Sequence, residues 1–334
     1  MSSNCVIPTE IWIQIIQQIG LPSHTSPYRL DRVSTTTLTR LCLVSRAFSV
    51  LTEPVLYSTA FITPETIESF SQAVELPQSR IDRIAPGTPT CKGALVSSLA
   101  LANFNSPESS NIEQIKTILY AVQTSVVRLY LDTSRIMADP DPMSLDLDIA
   151  IQCGLSTFSK IEELCLLHWD SYSLPLAPWM TLKRIVIAYS CISANLMTQL
   201  SRMENLELCI LAWPASVQVG SKDFGLREIA RGDWGVSAEG RGSPELVITV
   251  TDKYDWVTHI LNTSTKKETS NPPGNGEVAV KRPGLMLMGV QEVPGGYDGL
   301  NKRQEWTTRA VLDGTIWERH RDTLDVYLDR LDPS

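Results

Sequence analysis

Four histidines, His24, His168, His259 and His320, are the side chains best suited to acid–base or metal chemistry near neutral pH, and their spacing organises neither. No HExxH pair occurs, and Cys165-x-x-His168 lacks the second pair that a tetrahedral zinc site needs. The segment Gly235-Val-Ser-Ala-Glu-Gly240 has the wrong spacing for a nucleophilic serine on a G-x-S-x-G elbow. Gly274-x-Gly276-x-x-Ala279 has the outline of a dinucleotide fingerprint. It follows Asn-Pro-Pro instead of a strand and runs into Lys-Arg-Pro-Gly instead of a helix, so it reads as loop. Asp139, Asp141, Asp146 and Asp148 offer hard oxygen ligands, but without the EF-hand spacing and its central glycine they read as a solvated loop. Arg231-Gly-Asp233 and Asn262-Thr-Ser264 have the form of an adhesion tripeptide and a glycosylation sequon, and both presuppose an extracellular chain. The expectation is a protein with no catalytic residue, no metal and no cofactor: not an enzyme.

If the residues do not perform chemistry, they must bind. The chain has 334 residues, 43% hydrophobic and 20% charged, enough for a sizeable core and for two domains. With 29 Lys and Arg against 37 Asp and Glu, the net charge of −8 opposes counterion-driven binding to nucleic acid or to an anionic membrane, so protein partners are expected. Residues 1 to 60 hold four arginines against three acids, a net of +1, which leaves −9 for the remainder. No stretch reads as a transmembrane helix, and Met1-Ser-Ser-Asn opens no secretory signal, so the expected compartment is cytoplasm or nucleus. Seven scattered cysteines without CxxC pairs suit buried free thiols in a reducing environment.

Two helical patterns stand at the N-terminus. Pro8 suits a first helical turn and Glu10 its dipole; Trp12, Ile15, Ile16 and Ile19 follow at helical spacing, and Gly20 is a fitting stop. After a polar loop, a second helix is expected from the Thr35-Thr36-Thr37 run, whose hydroxyls would cap it, through Leu51. Leu41, Val44, Phe48 and Leu51 would form one face, with Leu43, Ala47 and Val50 elsewhere. A helix apolar on more than one side must be covered on more than one side, so this segment predicts a partner.

Ile7-Pro8-x-Glu10-Ile11 with Ile15-Ile16, then Leu41-Cys42-Leu43-Val44-Ser45-Arg46-Ala47-Phe48, then Leu51-Thr-Glu-Pro54-Val-Leu56-Tyr57, resembles an F-box of the form common in fungal F-box proteins. The resemblance covers residues 6 to 60, and its connection from 21 to 37 is longer than the family's usual short loop. It implies an all-α module, residues 1–60, that docks on the Skp adaptor and through it on cullin. Ile7, Pro8, Ile11, Ile15, Leu41, Leu43, Val44, Ser45, Phe48 and Leu51 are the adaptor-binding candidates.

Residues 61–94 read as a linker or helical connection, with a capped helix at Thr63 to Val74. Beyond it an apolar-x-x-apolar-x-apolar pattern recurs at Val96/Leu99/Leu101, Val126/Leu129/Leu131, Ile161/Leu164/Leu166, Leu182/Ile185/Ile187 and Met203/Leu206/Leu208. Helical patterns lie between, at Ile112, Ile115, Leu119 and Val122, and at Ile192, Leu196 and Leu200. The alternation resembles a degenerate leucine-rich repeat, which implies an α/β solenoid over 95–334 with an irregular C-terminal cap; an ordinary α/β domain is the alternative. Residues 270–300, glycine-rich around Leu285-Met-Leu-Met, read as a flexible loop or protruding hairpin. A strand is expected from Pro244, and helices over Asp252 to Leu261 and from Thr315 to Leu331. Trp169, Tyr172, Trp179, Tyr189 and Trp213 lie at or just after the strands, where they either rim a target-binding face or fill the core.

Together these imply an α/β protein that serves as the substrate-receptor subunit of a Skp/cullin/F-box ubiquitin ligase. The alternatives are an adaptor-independent interaction scaffold and an enzyme hidden in the C-terminal region.

Overall fold

The computed structural model describes residues 7–20, 26–75, 91–104, 109–132, 142–167, 179–188, 191–192, 196, 199–200, 203–213, 216–217, 245–250, 285–289 and 299–317. The protein is mixed α/β and divides into two compact units, the first built mainly from residues 1–130 and 139–158, the second mainly from 159–311 and 315–334.

The first unit opens with α1, Thr9–Ile19, which buries Ile16 and half-buries Trp12 and Ile19. The carbonyl of Pro8 accepts from the Ile11 and Trp12 amides at 3.1 and 3.3 Å. The helix stops at Gly20, where a Cβ would stand 1.8 Å from Val55 Cγ1; glycine is required there by close approach. Helix α2, Arg32–Val44, starts earlier than the threonine run suggests. Its cap is Asp31, whose carboxylate accepts from the Val33 and Ser34 amides at 2.8 and 2.9 Å. The Thr35, Thr36, Thr37 and Thr39 hydroxyls instead donate to carbonyls four residues back, as threonine does inside a helix.

The expected single helix through Leu51 is two. Ser45 is extended (φ −159°, ψ 164°) and caps α3, Arg46–Leu56, its Oγ accepting from the Phe48 amide at 3.2 Å. Ile16, Leu30 and Leu38 form the core of this helical module, with Ile19, Leu41, Phe48, Leu51, Val55 and Leu56 packed on it. Trp12 meets Phe48 edge to face at 4.9 Å.

Only Tyr57 and Ser58 separate α3 from a strand that sequence reasoning missed, β1, Thr59–Ile62, lying across the expected boundary at residue 60. Helix α4, Ile67–Glu75, leads after residues 76–90 to a single 3-10 turn at Lys92–Leu95 and then to β2, Ser98–Leu101. β1 and β2 are parallel, Thr59 opposite Ser98 and Ile62 opposite Leu101. Helix α5, Ser109–Val122, buries Ile112, Ile115, Leu119 and Val122 as their spacing predicts, and precedes β3, Arg128–Asp132. Helix α6, Pro142–Leu155, carries Asp146 and Asp148, which corrects their reading as loop.

In the second unit, β4 (Glu163–Leu167), β5 (Arg184–Ala188), β7 (Leu208–Ala212), β9 (Glu245–Val250) and β10 (Leu285–Gly289) pair in that order, every neighbour parallel. β6 (Cys191–Ile192) and β8 (Ser216–Val217) form a separate parallel pair, which puts Ile192 on a strand instead of a helix. The residues of β4, β5 and β7 are buried, apart from the half-exposed Arg184, so the strands read as continuous apolar runs, as in a parallel sheet covered on both faces. β7 begins three residues later in its pattern than expected, with Leu206, Cys209 and Leu211 in the places assigned to Met203, Leu206 and Leu208. Cysteine serves there as a small apolar residue. Leu285-Met-Leu-Met is a sheet strand, which corrects the loop or hairpin reading for that part of 270–300. Helix α7, Gly299–Leu312, was not anticipated.

Candidate docking surface on the N-terminal helices

Ile7 leads into α1, and Ile11 and Ile15 follow at intervals of four on the side away from Ile16. They remain 43%, 43% and 39% exposed. Leu43 and Val44 close α2 at 82% and 65%, just before the Ser45 break, and Pro8 and Ser45 are exposed as well. Seven of the ten adaptor-binding candidates are therefore available to a partner. The other three, Leu41, Phe48 and Leu51, are half-buried against the Ile16–Leu30–Leu38 core and hold the helices together.

The Ser45 break explains the partition. With α2 ending at Val44, the Phe48 and Leu51 turns belong to another helix whose apolar side faces inward, while Leu43 and Val44 lose the neighbours that a continuous helix would have offered. Two exposed apolar residues were missed, Ile13 at 37% and Val33 at 75%. Val33 follows the Asp31 cap, and placing the helix start there would have found it.

The titratable groups nearby are structural. The Ser34 hydroxyl and amide hold the Asp31 carboxyl below its usual range. Burial raises the Cys42 thiol, the Glu53 carboxylate adds to that, and Lys92 opposes it. Lys92 Nζ lies 3.8 Å from Glu53 and 5.0 Å from the Tyr57 ring centroid. Ser49 Oγ donates to the same Glu53 carboxylate at 2.9 Å. The arrangement can bury apolar surface against a partner.

Of the five aromatic candidates for target binding, Trp179 and Trp213 are 1% and 5% exposed and belong to the core, the second of the two placements open to them. Trp213 has a left-handed backbone (φ 50°) and donates Nε1–H to Thr307 Oγ1 at 2.8 Å; Trp306 meets its ring at 5.9 Å, and the Arg303 guanidinium stacks over it at 5.4 Å. That cluster fastens α7 to the exit of β7. Trp169, Tyr172 and Tyr189 lie outside the described residues, as do all four histidines and the segments 231–240, 262–264 and 274–279. Among the described residues no three His, Cys, Asp or Glu side chains converge as metal ligands, and no helix is long and apolar enough to cross a membrane.

The fold and this surface define an α/β protein with a three-helix N-terminal module. No protein-family model and no curated protein matches the chain.

Proposed function

We propose that the chain is the substrate-receptor subunit of a Skp/cullin/F-box ubiquitin ligase working in the cytoplasm or nucleus. Ile7, Pro8, Ile11, Ile15, Leu43, Val44 and Ser45 dock on the Skp adaptor, and the strand region recruits a target protein. One observation carries this reading: of the ten large hydrophobic residues exposed among the described ones, seven, Ile7, Ile11, Ile13, Ile15, Val33, Leu43 and Val44, lie on the segment that resembles an F-box. Scattered single apolar residues need no explanation, but such a concentration on one small module marks an interaction surface.

Support for a repeat-like recognition region comes from its wiring. In each unit consecutive long strands are neighbours, and a polar side chain ahead of a strand reaches back one step. Ser97 Oγ donates to the Ser58 carbonyl at 2.9 Å, Ser125 Oγ to Gly93 at 3.0 Å and Thr181 Oγ1 to Ile161 at 2.8 Å; the Asn205 amide donates to the Met180 carbonyl. These are nearest-neighbour links of the kind a stacked array uses.

The chain would act without a covalent step, raising the effective concentration of a target lysine near the charged ubiquitin carrier. The −9 charge outside the module favours basic or neutral targets. Co-expression with a Skp adaptor tests the reading. The wild-type chain is expected to co-purify with it and to capture cullin; Leu43→Asp and Ile11→Asp, both at exposed positions, are expected to lose the adaptor while keeping the wild-type unfolding midpoint. Absence of adaptor capture overturns the proposal, and adaptor capture without cullin favours the scaffold reading.

A further inference from the structure

We infer that residues 26–31 form a strap tying the helical module to the first strands, so that whatever docks on α1 and α2 is held in a fixed orientation to β1–β3. A loop between two helices ordinarily keeps its tip in water. In the described part of this one, residues 26–31, two side chains are buried instead. Tyr28 is wholly buried (0% exposed), its ring 6.0 Å from that of Tyr130 on β3. The next residue, Arg29, lays its guanidinium 5.4 Å over the ring of Phe61 on β1, and the one after, Leu30, turns back into the module core beside Ile16 and Leu38. Consecutive side chains thus engage the strands and the helices in turn. Asp31 then caps α2 at once, which fixes where the strap ends.

Two further ties join the same two parts. Lys92, in the 3-10 turn before β2, bridges to Glu53 on α3 and sits over Tyr57. The chain itself passes from α3 to β1 through Tyr57 and Ser58, where the Ser97 and Ser98 amides both donate to the Ser58 carbonyl, at 2.9 and 3.0 Å. A module joined at one covalent point can swing. One joined at three separate places, with an aromatic ring buried in one of them, opens only by breaking contacts, and the residues on both sides belong to a single compact unit.

Hydrogen exchange on the full chain, without any adaptor, separates this inference from the docking proposal. In Tyr28→Ala, exchange in α1–α3 is expected to rise about tenfold while β2 and α5 keep their protection, because only the tie between the two parts is cut. Tyr28→Phe, which keeps the ring, is expected to lose far less helix protection than Tyr28→Ala. Arg29→Ala, at an exposed position, is expected to reproduce the Tyr28→Ala pattern a few-fold, and it decides the matter if Tyr28→Ala does not fold. Equal loss of protection in helices and strands in Tyr28→Ala, or unchanged helix protection in either alanine variant, overturns the strap.

Discussion

Ser45 is the residue on which the N-terminal module turns. Its extended backbone ends α2, its hydroxyl starts α3, and the break leaves Leu43 and Val44 in solvent. Ser45→Ala removes the acceptor for the Phe48 amide and is expected to destabilise the chain by about 1 kcal/mol, read as a lower urea midpoint; Ser45→Asp, which restores an acceptor, is expected to recover most of it. Asp31 does the same work for α2 and adds a pH dependence. Hydrogen bonds from Ser34 hold its carboxyl below the usual range in the folded state. Its contribution is therefore present above the unfolded value of about 3.9 and is lost as the pH falls through the lowered folded one. Asp31→Asn is expected to show a smaller drop in urea midpoint on acidification than wild type.

At the scale of elements, close approach decides which helices meet. α1 ends against α3 at Gly20, where any Cβ would overlap Val55. Gly20→Ala is expected to cost about 1–3 kcal/mol in urea unfolding, with partial recovery in Gly20→Ala/Val55→Ala, because the obstacle is one side chain. Gly93→Ala offers no such rescue: its Cβ would stand 2.6 Å from the Ala121 carbonyl oxygen, which belongs to the backbone of α5. The elements that periodicity marked best are α5, whose Ile112, Ile115, Leu119 and Val122 are buried, and the strands β2 to β5, whose apolar residues are buried. β1 was missed because its four residues, Thr-Ala-Phe-Ile, are too few to show alternation. α7 was missed because two of its buried positions are Arg303 and Thr307, whose contacts to Trp213 lie 90 or more residues away.

Over the whole molecule, the two units share a reliance on parallel strands buried on both faces. Cys209, in the middle of β7, reports on that burial, which pushes its thiol up to about 12. In the native chain a maleimide is expected to label exposed Cys153 and spare Cys209, whose labelling should appear with the same urea midpoint as the loss of far-UV circular dichroism. Labelling of Cys209 well below that midpoint would mean that the second unit opens locally.

Sequence alone determined what depends on near neighbours: an α/β composition, the strands β2 to β5 and helix α5, the two apolar N-terminal segments and the scarcity of catalytic motifs. Each is a matter of residue type at a spacing of two to four. Tertiary structure alone decided which apolar residues are spent inside. Leu41, Phe48 and Leu51 close the module core while Leu43 and Val44 stay in water, Trp179 and Trp213 go to the interior, and Tyr28 leaves its loop for Tyr130. Periodicity can show that a residue needs burial; only the packed chain shows what buries it.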